Sequence, residues 1–130
     1  MMNTFTLERT VLAQHLDDLK HVNNVQYLYW VQEVAQAHWE ALTSGRSDEF
    51  EIWVVRSHHI EYKQAAQLGD VLTLTTYVKE SSDFLSERIV EVSLKSNNRL
   101  LARCSTQWCY LNKDSGKLER IPQKVLELLD

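Results

Sequence analysis

One long helical pattern followed by a series of alternating segments restricts the fold of this chain more than any other sequence feature. From position 24 onwards, apolar residues recur at spacings of three and four, the period of a helix. These residues are Leu28, Val31, Ala35, Trp39 and Leu42. Asn23 or Asn24 is suited to cap the start, and Gly45 is suited to the C′ position. A helix of about five turns results, and it must bury its apolar stripe against a second layer.

Segments in which polar and apolar residues alternate predict strands before and after this helix. They are Thr4–Leu12, Glu51–Gln64, Val71–Lys79, Leu85–Lys95 and Arg99–Leu111. Turn-forming residues separate the last three segments, and Pro122 begins a short final helix that runs to Leu129. Strands with one apolar face are typical of an antiparallel sheet with one buried side. The predicted fold is therefore α+β, a five-stranded antiparallel sheet packed on a long helix.

Composition excludes several classes of protein. The 130 residues are 44% hydrophobic and 25% charged, which predicts one soluble globular domain over residues 1–130. A net charge of −4 disfavours a nucleic-acid binder or an anionic-membrane binder. The sequence has no apolar run of 18 residues and no secretory signal pattern, so we expect a cytoplasmic protein that does not span a membrane. Cys104 and Cys109 fall on opposite faces of one predicted strand, which predicts reduced thiols and no metal site.

Several side chains of the predicted sheet are candidates for contacts with a second copy of the chain or with a ligand. Apolar residues on the strand after the long helix predict an oligomer contact there: Trp53, Val55, Ile60 and Tyr62. His58 and His59 should point to opposite faces of the sheet. Four scattered cations are candidates for phosphate contacts, with no role assigned: Lys63, Arg88, Arg99 and Arg103.

The segment from His15 to Tyr27 concentrates polar residues where the chain enters the long helix. Asp17 and His21 are followed by the pair Asn23-Asn24. A helix N-terminus offers unpaired N–H groups and a positive dipole end, which can hold the oxyanion of a reacting carbonyl. A nearby carboxylate can attack directly or activate water. On residue types alone the structural interpretation is favoured, because asparagine here is usually a cap and aspartate usually stabilises a turn.

The string Asp17-x-x-x-His21-Val22-Asn23-Asn24-x-x-Tyr27, placed before a long amphipathic helix, resembles the hotdog-fold thioesterases. It is most similar to the 4-hydroxybenzoyl-CoA thioesterase-like group, and acyl-ACP thioesterases share the His-Val-Asn-Asn part. A second, weaker match is Ile60–Lys63 followed by Gly69–Leu72. The predicted order of elements matches this family over nearly the whole chain.

The resemblance implies a hotdog fold with strand order 1-3-4-5-2, wrapped around the helix. It also implies a homodimer or homotetramer, an acyl-CoA substrate bound between subunits, and no cofactor. The implied catalytic residues are Asp17 as nucleophile or general base, His21 as an orienting group, and Asn24 through its backbone N–H. The implied substrate-binding residues are Asn23, Val25, Tyr27 and His59, with Tyr27 lining the acyl pocket and His59 reaching the site from the partner subunit.

Four positions depart from the family pattern. Many relatives carry Asp where this chain has His15, and Gly where it has Lys20. Leu19 and Ala65 stand where plant acyl-ACP enzymes carry Asn and Glu, so their mechanism is not transferred whole. Asp17 is therefore the predicted carboxylate, with Asp18 as the alternative if the register differs by one.

The sequence thus predicts hydrolysis of an acyl-CoA to a free acid and a thiol. One alternative is an acyl-ACP thioesterase, although an acidic chain does not favour steering of an acidic carrier protein. Another is a non-catalytic hotdog domain that binds acyl ligands. The hydratase branch of the fold is least favoured, because the chain has no Asp-x-Asn-Pro-x-His string.

Overall fold

The computed structural model describes residues 3–130, in which one antiparallel sheet packs against a long helix. The strands are β1 (Phe5–Thr10), β2 (Ile52–Tyr62), β3 (Val71–Ser82), β4 (Leu85–Leu94) and β5 (Leu100–Leu111). They lie in the order β1-β3-β4-β5-β2. The helices are α1 (Asn24–Leu42) and α2 (Gln123–Leu129). The predicted α+β class and the strand order are confirmed.

Helix α1 packs on the inner face of the sheet through a wider surface than the sequence pattern indicates. Its buried residues are Tyr27, Trp30, Val31, Val34, Ala35, His38 and Trp39. Leu28 and Leu42, which the pattern placed in the apolar stripe, are only half-buried. The inner faces of β3, β4 and β5 alternate as predicted, with Leu72, Val90 and Ala102 fully buried. Because the sheet curves around the helix, flanking residues such as Trp30 and His38 are also covered.

Both ends of α1 are fixed by local hydrogen bonds. Asn23 is the N-cap, and its Oδ1 accepts from the N–H of Val25 at 2.9 Å. At the other end, Ser44 (φ 53°) occupies the left-handed C′ position, so the prediction that Gly45 stands there is wrong by one residue. Gly45 follows it and donates its N–H to the carbonyl of Glu40 at 2.9 Å, which completes a Schellman motif.

A bulge in β2 decides which side chains of this strand face the helix. Val55 pairs with Trp108 and Ser57 pairs with Gln107, so Arg56 is an extra residue. The alternation shifts there by one, and Val55 and Ile60 therefore share the inner face although their numbers differ in parity. Trp53 and Ile60 pack against the core. The apolar side chains exposed on the outer face of β2 are instead Ile52 and Val54, each 42% exposed.

The remaining differences from prediction are local. β3 continues to Ser82, so the turn to β4 centres on Asp83 (φ 51°). Ala13–His15 and Ser47–Glu49 form single 3₁₀ turns within the segments predicted to be irregular. Cys104 and Cys109 are both free thiols. Within residues 3–130, no helix is long and apolar enough to cross a bilayer.

Candidate active site

A cleft of about 240 Å³ lies at the N-terminal end of α1, and we call it the Asp17 cleft. Three segments build it: the loop before α1, the first turn of α1, and the chain leaving β2. Its lining residues are Asp17, His21, Val22, Asn24, Tyr27, Tyr62, Lys63, Gln64 and Ala65. Four of the seven predicted site residues therefore come together here: Asp17, His21, Asn24 and Tyr27. Asp18, the alternative carboxylate, is not in this lining.

The loop before α1 is a tight turn that Asp17 organises. Its Oδ1 accepts from the N–H of Leu19 at 2.9 Å and from the N–H of His21 at 3.2 Å. Its backbone N–H donates to the carbonyl of His21 at 2.8 Å, which closes the loop. The residue before His21 is Lys20, with φ 62°, a region that favours glycine. Among the described residues, no hydrogen bond uses Oδ2 of Asp17, so this oxygen is available to a ligand.

The first turn of α1 begins at Asn24, which lines the same cleft. The side chain of Asn23 satisfies Val25, and its carbonyl accepts from the N–H of Gln26 at 2.9 Å. The N–H of Asn24 has no acceptor in the part of the chain that the structure describes. A helix start combines such a free N–H with the positive end of the helix dipole. Asp17 and Asn24, the residues that carry this unpartnered carboxylate oxygen and this unpartnered backbone N–H, both line the Asp17 cleft.

Two tyrosines form the inner wall of the cleft. The hydroxyl of Tyr27 accepts from the N–H of Ala66 at 3.0 Å, and burial raises the pKa of this phenol. The hydroxyl of Tyr62 donates to the carbonyl of Asn24 at 3.1 Å, which ties the end of β2 to the first turn of α1. The two rings meet edge to face with centroids 5.4 Å apart. Both phenols keep their protons at neutral pH, and that of Tyr27 is free to donate.

The other predicted site residues lie elsewhere. Asn23 is occupied as a cap, and Val25 is 54% exposed on the first turn, outside the lining of the cleft. His59 points outward from β2, with its Nε2 3.5 Å from Glu61. His58 points inward to Thr106 at 2.8 Å, so the two imidazoles do occupy opposite faces. Within one subunit, His59 is therefore separated from the Asp17 cleft.

A second and larger space, which sequence reasoning missed, lies farther along α1. We call it the Arg88 cavity; its volume is about 570 Å³. It lies between the C-terminal half of α1, the Ile52 end of β2 and the middle of the sheet. Polar and charged side chains line it together with four aromatic rings, those of Trp39, Phe50, Trp53 and Trp108. Gln36 in this lining is about 18 Å along the helix axis from Asn24.

Arg88 was grouped with scattered cations on sequence alone, and the structure corrects this placement. It is only 5% exposed, because its position on β4 shares the inner face with Val90 and Val92. Its Nη1 donates to Nδ1 of His38 at 2.8 Å and to the hydroxyl of Thr76 at 3.1 Å. Burial, and then the charge of Arg88, lower the pKa of His38 to about 4, so this imidazole is a neutral acceptor. Positions 88 and 90 are two residues apart on one strand and therefore share a face, so the alternation in β4 already indicated that Arg88 points inward.

Comparison with known proteins agrees with the topology. Residues 3–129 match the model of the family described as acyl-ACP thioesterase N-terminal domain. A relative of known name is the long-chain acyl-CoA thioesterase FadM of Escherichia coli (strain K12), 35% identical over 77 residues. That alignment covers 54% of this chain and 54% of the relative, so the chain matches about half the length of that protein.

Two solved structures show the same fold. Slr0204 of Synechocystis, a 1,4-dihydroxy-2-naphthoyl-CoA thioesterase, has a TM-score of 0.83 at 22% identity, over 98% of this chain and 96% of that one. SAV2348 of Staphylococcus aureus, in complex with CoA, has a TM-score of 0.87 at 16% identity, over 98% and 82%. Because the family model covers almost the entire sequence and the topology agrees with these structures, this chain belongs to the acyl-ACP thioesterase family and has the fold of the hotdog thioesterases.

Proposed function

We propose that this protein is an acyl-CoA thioesterase whose reaction takes place in the Asp17 cleft. The observation that carries this proposal is the pairing of a free carboxylate oxygen of Asp17 with the free N–H of Asn24 in one lining. Hydrolysis of a thioester needs a base or nucleophile on one side of the carbonyl and a donor for the oxyanion. The Asp17 cleft supplies both from a single short segment of the chain.

In the proposed reaction, Oδ2 of Asp17 acts while Oδ1 holds the loop. As general base it takes a proton from water, and the resulting hydroxide attacks the thioester carbon. The oxyanion forms against the N–H of Asn24 at the positive end of α1. The C–S bond then breaks, and the thiolate takes the proton from Asp17. In the alternative step, the carboxylate attacks the carbonyl itself, and breaking of the C–S bond expels the thiolate and leaves a mixed anhydride. Water then hydrolyses the anhydride to the free acid and the Asp17 carboxylate, and the proton released goes to the thiolate.

The remaining residues of the cleft position the substrate. His21 lines the cleft and is tied to Asp17 through its backbone, so it orients the water or the thioester. Asn23 acts mainly by fixing the start of α1, and Val25 extends the exposed face beside it. Tyr27 offers a protonated hydroxyl and a ring edge to the acyl group.

Coenzyme A is the carrier that we favour over an acyl-carrier protein. The relative FadM is named for acyl-CoA, and the similar fold of SAV2348 holds CoA. The family name favours the carrier-protein alternative. Acyl-carrier proteins are acidic, however, and a net charge of −4 on this chain opposes their long-range attraction.

Strand β2 supports a homodimer. Among the described residues it pairs with β5 alone, which leaves one edge of an 11-residue strand open, with Ile52 and Val54 exposed beside it. A long unprotected edge favours pairing with a second copy. Two β2 strands related by a two-fold axis run antiparallel, so the Tyr62 end of one subunit would lie beside the Ile52 end of its partner. His59 would then lie at the shared boundary.

Asp17→Asn tests the proposed reaction, because the amide keeps an oxygen that can accept from Leu19 and His21. We expect thiol release from a panel of short, medium, long and aryl CoA esters to fall about 100-fold or more. The thermal midpoint should stay within a few degrees. Asp18→Asn is the matched control and should hydrolyse like the wild type. Near-wild-type turnover by Asp17→Asn would remove Asp17 from its role.

Two further measurements separate the alternatives. The same acyl group on CoA and on an acyl-carrier protein compares the carriers directly, and a higher kcat/KM with the protein carrier would overturn our choice. Saturable acyl-CoA binding without thiol release would instead indicate a non-catalytic domain. For the dimer, Val54→Lys should shift the sedimentation coefficient to that of a monomer, because a charged side chain on an exposed edge strand opposes pairing with a second copy.

A further inference from the structure

The guanidinium of Arg88 has unused donors on the side that recognises carboxylates. Arginine carries five N–H groups, and the two on Nη1 donate hydrogen bonds to His38 and Thr76. Within residues 3–130 no hydrogen bond uses Nε or Nη2. The Nε and Nη2 edge is one that binds a carboxylate through two parallel hydrogen bonds. Arg88 nevertheless lines a cavity while being 95% buried.

The charge of Arg88 also lacks a partner. No carboxylate of the described residues lies within 4.0 Å of it. Burial lowers its pKa to about 10, so it stays charged at neutral pH. Three acidic residues and a second cation, Lys113, also line the cavity, but none of the three carboxylates forms an ion pair with Arg88, and Asp48 is exposed. A buried charge without a counter-charge is costly unless something compensates it.

The rest of the cavity fits an apolar molecule. Its volume of about 570 Å³ lies within the range of small-molecule sites. Trp39 stacks edge to face on both Phe50 and Trp53, which makes a rigid aromatic wall. The indole N–H of Trp108, in the same lining, is buried without an acceptor. One wall is therefore aromatic, and the one buried polar atom of this lining that has no partner among the described residues, Nε1 of Trp108, is a donor.

From these contacts we infer that the Arg88 cavity binds a carboxylate carried on an apolar alkyl or aryl body, with the carboxylate held by Nε and Nη2 of Arg88. The binding site is separate from the Asp17 cleft and goes beyond the proposed hydrolysis. The carboxylate has two possible sources with the same chemistry. One is a free carboxylic acid, and the other is the terminal carboxylate of an acyl group whose thioester lies in the Asp17 cleft. The second source rests on the proposed function and on the proposed dimer, which brings the cleft of one subunit beside the cavity of its partner.

Calorimetric titration with 4-phenylbutyrate and with its neutral counterpart 4-phenylbutanol tests the binding site without any hydrolysis. The wild type should bind the acid at least tenfold more tightly than the alcohol. Arg88→Met should remove this preference and leave binding of the alcohol unchanged. Arg103→Met is the matched control, because Arg103 pairs with Glu91 on the opposite face of the sheet; it should bind both probes like the wild type.

Arg88→Lys is a second variant that tests the same site if Arg88→Met does not fold. It keeps the charge but loses the two-pronged geometry, so its preference for the acid should fall between those of the wild type and Arg88→Met. Equal binding of phenylbutyrate and phenylbutanol by the wild type would overturn the inference. So would an unchanged preference in either folded Arg88 variant. These outcomes do not depend on whether the protein hydrolyses thioesters.

The turnover of suberoyl-CoA, whose acyl group ends in a carboxylate, is compared with that of octanoyl-CoA, whose acyl group does not. This comparison distinguishes a carboxylate on the acyl group from a free carboxylic acid. A preference for suberoyl-CoA that Arg88→Met abolishes would assign the carboxylate to the acyl group. Equal turnover of the two esters, together with tight binding of phenylbutyrate, would assign it to a free acid. Both results support the cavity as a carboxylate site.

Discussion

The Asp17 cleft and the Arg88 cavity lie at opposite ends of α1 and are built in opposite ways. The cleft is small, polar and open, and the groups proposed to react belong to one run of eight residues, Asp17 to Asn24. The cavity is more than twice as large and has an aromatic wall, and its lining comes from α1, the segment before β2, β2, β4, β5 and Lys113. Chemistry on a thioester needs a few atoms at fixed positions, which a short segment can supply. A recess for the body of a ligand needs walls from several elements.

The charged groups of the two sites also have different surroundings. The carboxylate of Asp17 is exposed, and backbone donors already hold one of its oxygens. Arg88 is buried, and no anion of the described residues balances it. The first arrangement keeps a charged group solvated, whereas the second favours an opposite charge, because Arg88 is already desolvated and attraction is stronger in a low-dielectric interior. The contrast teaches that a reacting group and a recognition group need different surroundings.

The largest expected effect is that Asp17→Asn impairs only thiol release and Arg88→Met impairs mainly carboxylate binding. Asp17→Asn should lower thiol release about 100-fold or more and leave phenylbutyrate binding unchanged. Arg88→Met should abolish the preference for phenylbutyrate and reduce octanoyl-CoA turnover by no more than a few fold. Parallel calorimetry and thiol-release assays on both variants measure this. If either variant impaired both readouts equally, the two regions would be one site.

The next largest effect concerns the pH dependence of stability near Arg88. The pKa of His38 is about 4 in the folded chain, lowered from 6.5 by burial and then by Arg88. Between these values the unfolded chain binds more protons, so stability should fall as the pH drops from about 6.5 to about 4, by up to about 3 kcal/mol. His38→Gln, which keeps an acceptor for Arg88, should flatten this slope in urea titrations at several pH values.

Two comparisons sharpen the His38 prediction. Burial also lowers the pKa of His58, so some slope in the same direction should remain in His38→Gln. In Arg88→Met the slope should persist but be smaller, since burial is the larger cause of the shift. An identical pH profile for wild type and His38→Gln would show that His38 does not couple protonation to folding.

A smaller effect is expected at the cap of α1. Asn23→Ala removes the hydrogen bond to the N–H of Val25 and should lower the free energy of unfolding by about 1 kcal/mol. Asn23→Ser keeps a capping oxygen and should restore most of that stability. The kcat/KM of Asn23→Ser then isolates any direct role in substrate binding. Wild-type kcat/KM in a stably folded Asn23→Ser would restrict Asn23 to capping.

The smallest effect is expected in the loop beside Asp17. Lys20 adopts φ 62°, which costs a residue with a Cβ more than it costs glycine. Lys20→Gly should raise the free energy of unfolding by up to about 1 kcal/mol. Asn98→Gly is a matched control, because Asn98 (φ 60°) tolerates this region better and should gain less. A loss of stability in Lys20→Gly, measured by urea unfolding, would contradict this interpretation of the loop.

The fold could be predicted largely from the sequence because its elements follow from local periodicity. The alternation in β3 and the spacing of Val31, Ala35 and Trp39 identify the buried faces directly. The cap at Asn23 and the turn around Asp17 are also local, since each bond joins residues at most four apart. For the same reason, the motif from Asp17 to Tyr27 marked the cleft before any coordinates were known.

The tertiary structure decided what depends on distant parts of the chain. The bulge at Arg56 sets the faces of β2, and it follows from pairing with β5 rather than from any residue pattern within β2. Arg88 meets His38 across 50 positions of sequence, so no spacing rule could join them. By itself the sequence determined the elements and the local structure of the segment from Asp17 to Asn24, because these rest on neighbouring residues. The burial of Arg88 and the cavity around it required the packed fold, because desolvation depends on everything that covers a side chain.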